Sequence, residues 1–326
     1  MELVVLIVIF GLLFDFTNGF HDAANVVATP IATKVIRPAI AILIASIFNF
    51  LGATQISGVA QTITTGLVGV EHATQLMVLS AVIGAILWNL VTWYFGVPSS
   101  SSYALIGGLI GAAFVSGGVK SVLWYGVTYK VPIPMVVSPI LGCGIAWVFM
   151  SLLLKISKRD RPFYKYFQLG SSATVALSHG LNDAQKSMGI ITLGLFSAGM
   201  VHTTHIPLWV IGACAVMIAL GTASGGFRII RTMGFEITEL KPIDGFAAEF
   251  SSSVVILVAS FMGMPLSSTH IIVGSITGVG TARGTRHVRW ATAHKMALAW
   301  VLTLPGAAVA SGLIFYLLER VRCITF

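Results

Sequence analysis

The sequence predicts an all-α polytopic membrane protein of about ten spans, arranged as two inverted-topology repeats. Three observations predict it. Apolar residues make up 56% of the chain and charged residues only 9%, whereas a soluble domain carries roughly 25% charge. Apolar runs of spanning length recur from end to end, and the mean hydropathy is +0.93. One motif also occurs twice: Asn18-Gly19-Phe20-His21-Asp22-Ala23-Ala24-Asn25 returns as His179-Gly180-Leu181-Asn182-Asp183-Ala184-Gln185-Lys186.

A spanning helix needs about 20 apolar residues. In the first half such runs lie near 3–31, 38–62, 74–96, 98–117 and 133–154. In the second half they lie near 169–196, 207–227, 244–263, 265–281 and 290–318. Broken or re-entrant helices would add to that number. The first run lacks a basic flank and a small-residue cleavage site, so it reads as a spanning helix and not a cleaved signal. These runs divide the chain into a first repeat (1–154), a basic cytoplasmic linker (155–168) and a second repeat (169–326).

Charge sets the orientation. The net charge of +8 sits in short loops, where Lys and Arg report the cytoplasmic side and not nucleic-acid binding. Lys155, Lys158, Arg159, Arg161 and Lys165 crowd the central loop beside Asp160. With that loop in the cytoplasm, the N-terminus, Glu71-His72 and Val201–Thr204 fall outside. Lys34, Arg37, Arg228, Arg231, Lys241, Arg283, Arg286 and Arg289 fall inside. Lys120, Lys130, Arg320 and Arg322 are the exceptions. Five spans per half make the second motif enter from the opposite face, which is the symmetry that alternating access uses.

Each motif copy buries an aspartate, Asp22 or Asp183, at membrane depth, where a carboxylate is costly and reads as functional. The alternative is a structural hydrogen bond to a broken helix. A second matched pair supports the repeat. Pro98-Ser99-Ser100-Ser101-Ser102-Tyr103 parallels Pro265-Leu266-Ser267-Ser268-Thr269-His270, each followed by helically spaced glycines, Gly107 and Gly111 or Gly274 and Gly278. Proline and Ser/Thr mark helix N-termini, and the glycines permit close helix approach. Helix N-termini are ready anion sites, so two of them could cradle a tetrahedral oxyanion; capping and packing alone is the plainer reading. Two aspartates beside an anion would repel it, at about 4 kcal/mol for a pair at 4 Å and an effective dielectric of 20. Sodium ions or protons on the aspartates would remove that repulsion and couple the two fluxes. Asn25, Asn182, the hydroxyls and broken-helix carbonyls would supply oxygen ligands.

Other features read plainly. Cys143, Cys214 and Cys323 show no paired spacing. His202-Thr203-Thr204-His205 lies in an outer loop without acidic or Cys ligands. Gly221–Gly226 lacks the Gly-Lys-Ser/Thr of a nucleotide loop. Asp15 shares a face with Asp22 but has no counterpart in the second half.

These motifs together resemble the inorganic phosphate transporter (PiT) family of sodium- and proton-coupled phosphate permeases. The resemblance rests on Gly19–Asn25, Gly180–Lys186, Gly225–Arg228 with Thr232–Gly234, Gly245–Glu249 and Pro265–His270. It implies that Asp22 and Asp183 are ion- or substrate-site residues and gives Glu249 a role; with Asn25 and Asn182 as oxygen ligands these make the expected cation site, with sodium on Asp22 and Asp183 if the coupling ion is sodium. The substrate residues expected from the two helix starts and the motifs are Ser100, Ser101, Ser102, Ser267, Ser268, Thr269, Asn25 and Lys186; Lys186 pairs either with phosphate or with Asp183. This chain departs from the family at Asn49, where some members carry Glu, at His21 and at Tyr103. The implied activity is import of inorganic phosphate by symport with sodium or protons through alternating access. Sulfate or a metal–phosphate complex remains the alternative cargo, and a membrane-embedded enzyme or a passive anion channel the more distant readings. No enzymatic activity, cofactor or nucleic-acid partner is expected. The expected address is the prokaryotic inner (plasma) membrane, with the bilayer as partner, and a homo-oligomer is compatible with the sequence.

Overall fold

Helix is the form in which an apolar chain satisfies its backbone without water, and the described residues are helical almost throughout. The computed structural model describes residues 2–55, 58–69, 73–157 and 162–325. Glu71, His72, Lys158, Arg159, Asp160 and Arg161 lie outside the described residues, as do the side chains of Arg322 and Cys323. Thirteen α-helices run in order among them: α1 (Glu2–Ala32), α2 (Pro38–Ala53), α3 (Val59–Thr65), α4 (Gln75–Tyr94), α5 (Ser101–Gly117), α6 (Trp124–Lys130) and α7 (Pro132–Ile156) in the first half; then α8 (Tyr164–Ser197), α9 (Leu208–Ser224), α10 (Phe227–Phe235), α11 (Pro242–Phe261), α12 (Ser268–Arg283) and α13 (Trp290–Thr325).

The two halves repeat the same order: a long helix, a helix and a short one, a 20-residue helix, then a Ser-capped helix ending in a 3-10 turn. Sequence explains the punctuation. Pro38, Pro132 and Pro242 open α2, α7 and α11, where the missing N–H costs nothing. Asp244 caps α11 by accepting from the Lys241 N–H at 2.8 Å. Gly225, at φ +69°, turns α9 into α10 with a bend of 70°.

Among the described residues, five segments are long and apolar enough to cross a bilayer: α1, α4, the α6–α7 stretch, α11 and residues 290–321 of α13; the bent pair α9–α10 makes a sixth. The run at 38–62 is divided between α2 and α3. The run at 98–117 begins extended, so α5 has 17 residues. The expected outer loop bearing Lys120 and Lys130 contains a 3-10 turn and α6.

Helix packing exchanges partners between halves. Helix α1 packs on α9 while α8 packs on α2, and α5 packs on α13 while α12 packs on α7. The glycines make this possible. Gly19 abuts the backbone of Ile218 and Thr222, and Gly180 abuts Asn49; Gly111 abuts Ala308, and Gly278 abuts Cys143. Helices α1 and α8 cross each other antiparallel. Ile7 meets Gly194, Gly11 meets Ile191, Asp15 meets Ser187, and Thr33 meets Gln168. Because these helices carry the two motif copies, the axis relating the halves runs across them, and the repeat is inverted.

Candidate functional site

The crossing of α1 and α8 brings the two motifs together in the protein interior. Asp22 and Asp183 are both buried. One ligand atom each of Asp22, His179 and Asp183 lies within 4.8 Å of the others. Both helices run unbroken through their motifs. Gly19 and Gly180 serve close packing with the helical hydrogen bonds kept, and the broken-helix carbonyl beside the motifs is that of Leu266. The breaks lie instead at Pro98–Ser100 and Pro265–Ser267, just ahead of α5 and α12.

Those two starts have the same cap. Ser100 accepts from the Tyr103 N–H at 3.2 Å, and Ser267 accepts from the His270 N–H at 3.3 Å. Ser102, Ser268 and Thr269, which follow the caps, contact the motifs. Ser268 donates to Asp183 at 2.8 Å and Thr269 to Asp22 at 3.3 Å. Asn25 donates to Ser268 at 3.2 Å and to Thr269 at 3.0 Å. Lys186, fully buried, donates to Ser102 at 2.5 Å, to the Leu266 carbonyl at 3.0 Å and to Asp183. Among the described residues the buried Ser101 hydroxyl has no hydrogen-bond partner.

Histidines finish the carboxylate shell. His21 Nδ1 lies 2.8 Å from Asp22 Oδ1 and its Nε2 lies 3.1 Å from the Thr92 hydroxyl. His179 Nε2 lies 2.8 Å from Asp183 Oδ2, and its Nδ1 lies 3.2 Å from Asn49 Oδ1. At a buried site a carboxylate needs this many partners, since an unpaired charge there costs several kcal/mol. Chemically the arrangement offers hydroxyl, amide and ammonium donors to an anion, and carboxylate oxygens to a cation.

Two residues expected at the site are placed elsewhere. Asn182 donates to Ser260 at 2.9 Å, which is the counterpart of the His21–Thr92 contact. Glu249 sits in a second buried cluster, accepting from Thr29 at 2.6 Å, Gln168 at 3.2 Å, Ser172 at 2.9 Å and Ser171. Thr29 is seven residues along α1 from Asp22, a displacement of about 10 Å at 1.5 Å per residue. His179, Ser99 and Thr92 were missed by sequence reasoning. His179 had a signal, because it opens the second motif one helical turn before Asp183.

Comparison with known proteins decides the family. The family model described as "Phosphate transporter family" matches this chain twice, over residues 18–163 and 155–311. The chain belongs to the phosphate transporter family. It is 42% identical over 326 residues to a "Probable low-affinity inorganic phosphate transporter" of Rhizobium meliloti (strain 1021), covering 98% of this chain and 97% of the relative. The protein of that same description in Bacillus subtilis (strain 168) is 40% identical, with 98% of each chain covered. Among solved structures, "The sodium-dependent phosphate transporter" superposes with a TM-score of 0.88 at 28% identity, covering 98% of this chain and 100% of that one. The family resemblance seen in the motifs is thus borne out, and the double match fits the repeat. This member of the family is a multi-pass plasma-membrane protein and a transporter, not an enzyme.

Proposed function

We propose that this chain imports inorganic phosphate by symport with sodium ions or protons, the two inverted halves moving around the site at the α1–α8 crossing. One observation carries the reading: Ser268 and Thr269 of the second half's helix start bond Asp183 and Asp22, Asn25 reaches across to that start, and Lys186 ties Asp183 to Ser102 of the first half's start. Phosphate oxygens would take the donors of Ser101, Ser102, Ser268, Thr269 and Asn25, with the Lys186 ammonium held by Asp183. A cation on Asp22 would screen the carboxylate from the anion, so neither ligand binds well alone. The relatives are named phosphate transporters and the structural neighbour a sodium-dependent one, which supports both halves of the proposal. Residues 1–154 and 169–326 would be the moving halves, joined by 155–168.

The test is uptake of radiolabelled phosphate into proteoliposomes under imposed sodium or proton gradients, with Asp22→Asn alongside the wild type. Uptake driven by one gradient and lost in Asp22→Asn is expected, and names the coupling ion. Uptake that ignores both gradients would overturn symport. Uptake of sulfate in place of phosphate would overturn the cargo.

A further inference from the structure

The two motif copies place Asn25 and Lys186 at equivalent positions, three residues after their aspartates. Each reaches across the pseudo-two-fold axis to the Ser/Thr helix start of a partner helix, but one carries a neutral amide and the other a fixed charge. The contacts of the Lys186 ammonium are a carboxylate oxygen of Asp183, the hydroxyl of Ser102 and the carbonyl of Leu266. Carboxylate, hydroxyl and carbonyl oxygens are the ligands that a hard metal cation selects. On this half the ammonium occupies the centre of that set. Asp183 is further held by Ser268 and His179, on its other oxygen. Asp22 differs: among the described residues its hydrogen bonds, from His21 and Thr269, both fall on Oδ1.

We infer that Lys186 is a tethered replacement for one co-transported cation. The second half brings its own positive charge to Asp183, and only the Asp22 half draws a cation from solution. The cycle therefore moves one cation fewer per phosphate than a fully two-fold site would. The inference rests on the cation-coupled reading above and fixes its stoichiometry.

Counting bound sodium tests it. Binding of radioactive sodium to the detergent-purified full chain is measured with and without inorganic phosphate, and labelled phosphate binding is read on the same samples. Lys186→Asn installs the residue that the first half already uses. It is expected to bind one sodium ion more per chain than the wild type. An unchanged count in a monodisperse variant overturns the inference, as does loss of phosphate binding with no gain of sodium, which would make Lys186 a phosphate ligand. The double variant Asp183→Asn/Lys186→Met removes charge and carboxylate together and serves if the single variant does not fold. Its sodium count should equal that of the wild type; a lower count would place a mobile cation at Asp183 and overturn the inference. A wild type that binds no phosphate sinks the proposed function instead, and leaves the sodium counts to decide this point separately.

Discussion

Asn25 donates its side-chain amide to the Thr269 hydroxyl at 3.0 Å, joining the first motif to the helix start of the second half. That start is held by a cap whose twin is Ser100, and the neighbour of that twin, Ser101, has no hydrogen-bond partner among the described residues. Two adjacent serines therefore have separable roles. Ser100→Ala should cost about 1 kcal/mol of stability through the lost cap, seen as a lower unfolding temperature. Ser101→Ala should leave that temperature unchanged and raise the phosphate concentration needed for half-maximal uptake. Equal effects of both variants on both readouts would refute the division.

The Asp183–Lys186 pair should behave as a unit. Removing one member leaves a buried unpaired charge, a loss of about 3–5 kcal/mol. Asp183→Asn and Lys186→Met alone are expected to unfold at much lower temperature. The double variant should recover most of the difference, because nothing charged is then left unpaired. A double-mutant cycle by thermal unfolding in detergent measures the coupling directly, and additive losses would contradict it.

Glu249 accepts from hydroxyls and an amide on α1 and α8. Glu249→Gln keeps the shape but turns one acceptor into a donor facing donors. A cost of about 1–3 kcal/mol is expected from the unsatisfied group, read by thermal unfolding. Replacing the facing hydroxyl as well, in Glu249→Gln/Ser171→Ala, should return part of it. No loss in the single variant would show that the cluster rearranges freely.

Close packing predicts the outcome at the motif glycine. A Cβ at Gly180 would meet the Asn49 backbone, which cannot swing aside. Gly180→Ala should destabilise by about 1–3 kcal/mol through overpacking and lower both folded yield and uptake. Gly144→Ala is the control, since nothing lies near its added carbon.

The class of fold was legible because the signals are strong and local: apolar runs, a repeated motif, and proline–serine helix starts. The inverted relation was legible from counting spans, since an odd number of spans per repeat reverses direction. The unbroken course of α1 and α8 was not. Gly, Asn and Asp at a motif can break a helix or line its packing face, and only the neighbour, Asn49 or Ile218, decides which. The Glu249 cluster was hidden for another reason. Its donors, Thr29, Gln168, Ser171 and Ser172, come from two helices whose crossing is a tertiary fact with no trace in local pattern. His179 was on the page, but its role depends on a carboxylate one turn along the same helix.

The repeat is not complete, and the departures fall on opposite sides of the crossing. Asp15, bonded to Ser187 at 2.8 Å, lies on one side of the motifs, and the second half has Ala176 in its place. Glu249 lies on the other side, and Val82 stands at its position in α4. In the proposed cycle, a solute moving along the crossing would leave a carboxylate with one set of partners on the entry side and one with different partners on the exit side. Thermodynamics obliges the cycle to run in reverse when the gradients reverse, but it does not oblige the two doors to be equally quick. Under that proposal, two buried acids with unlike partners would give the cycle a kinetic front and back that its two-fold architecture alone would not supply.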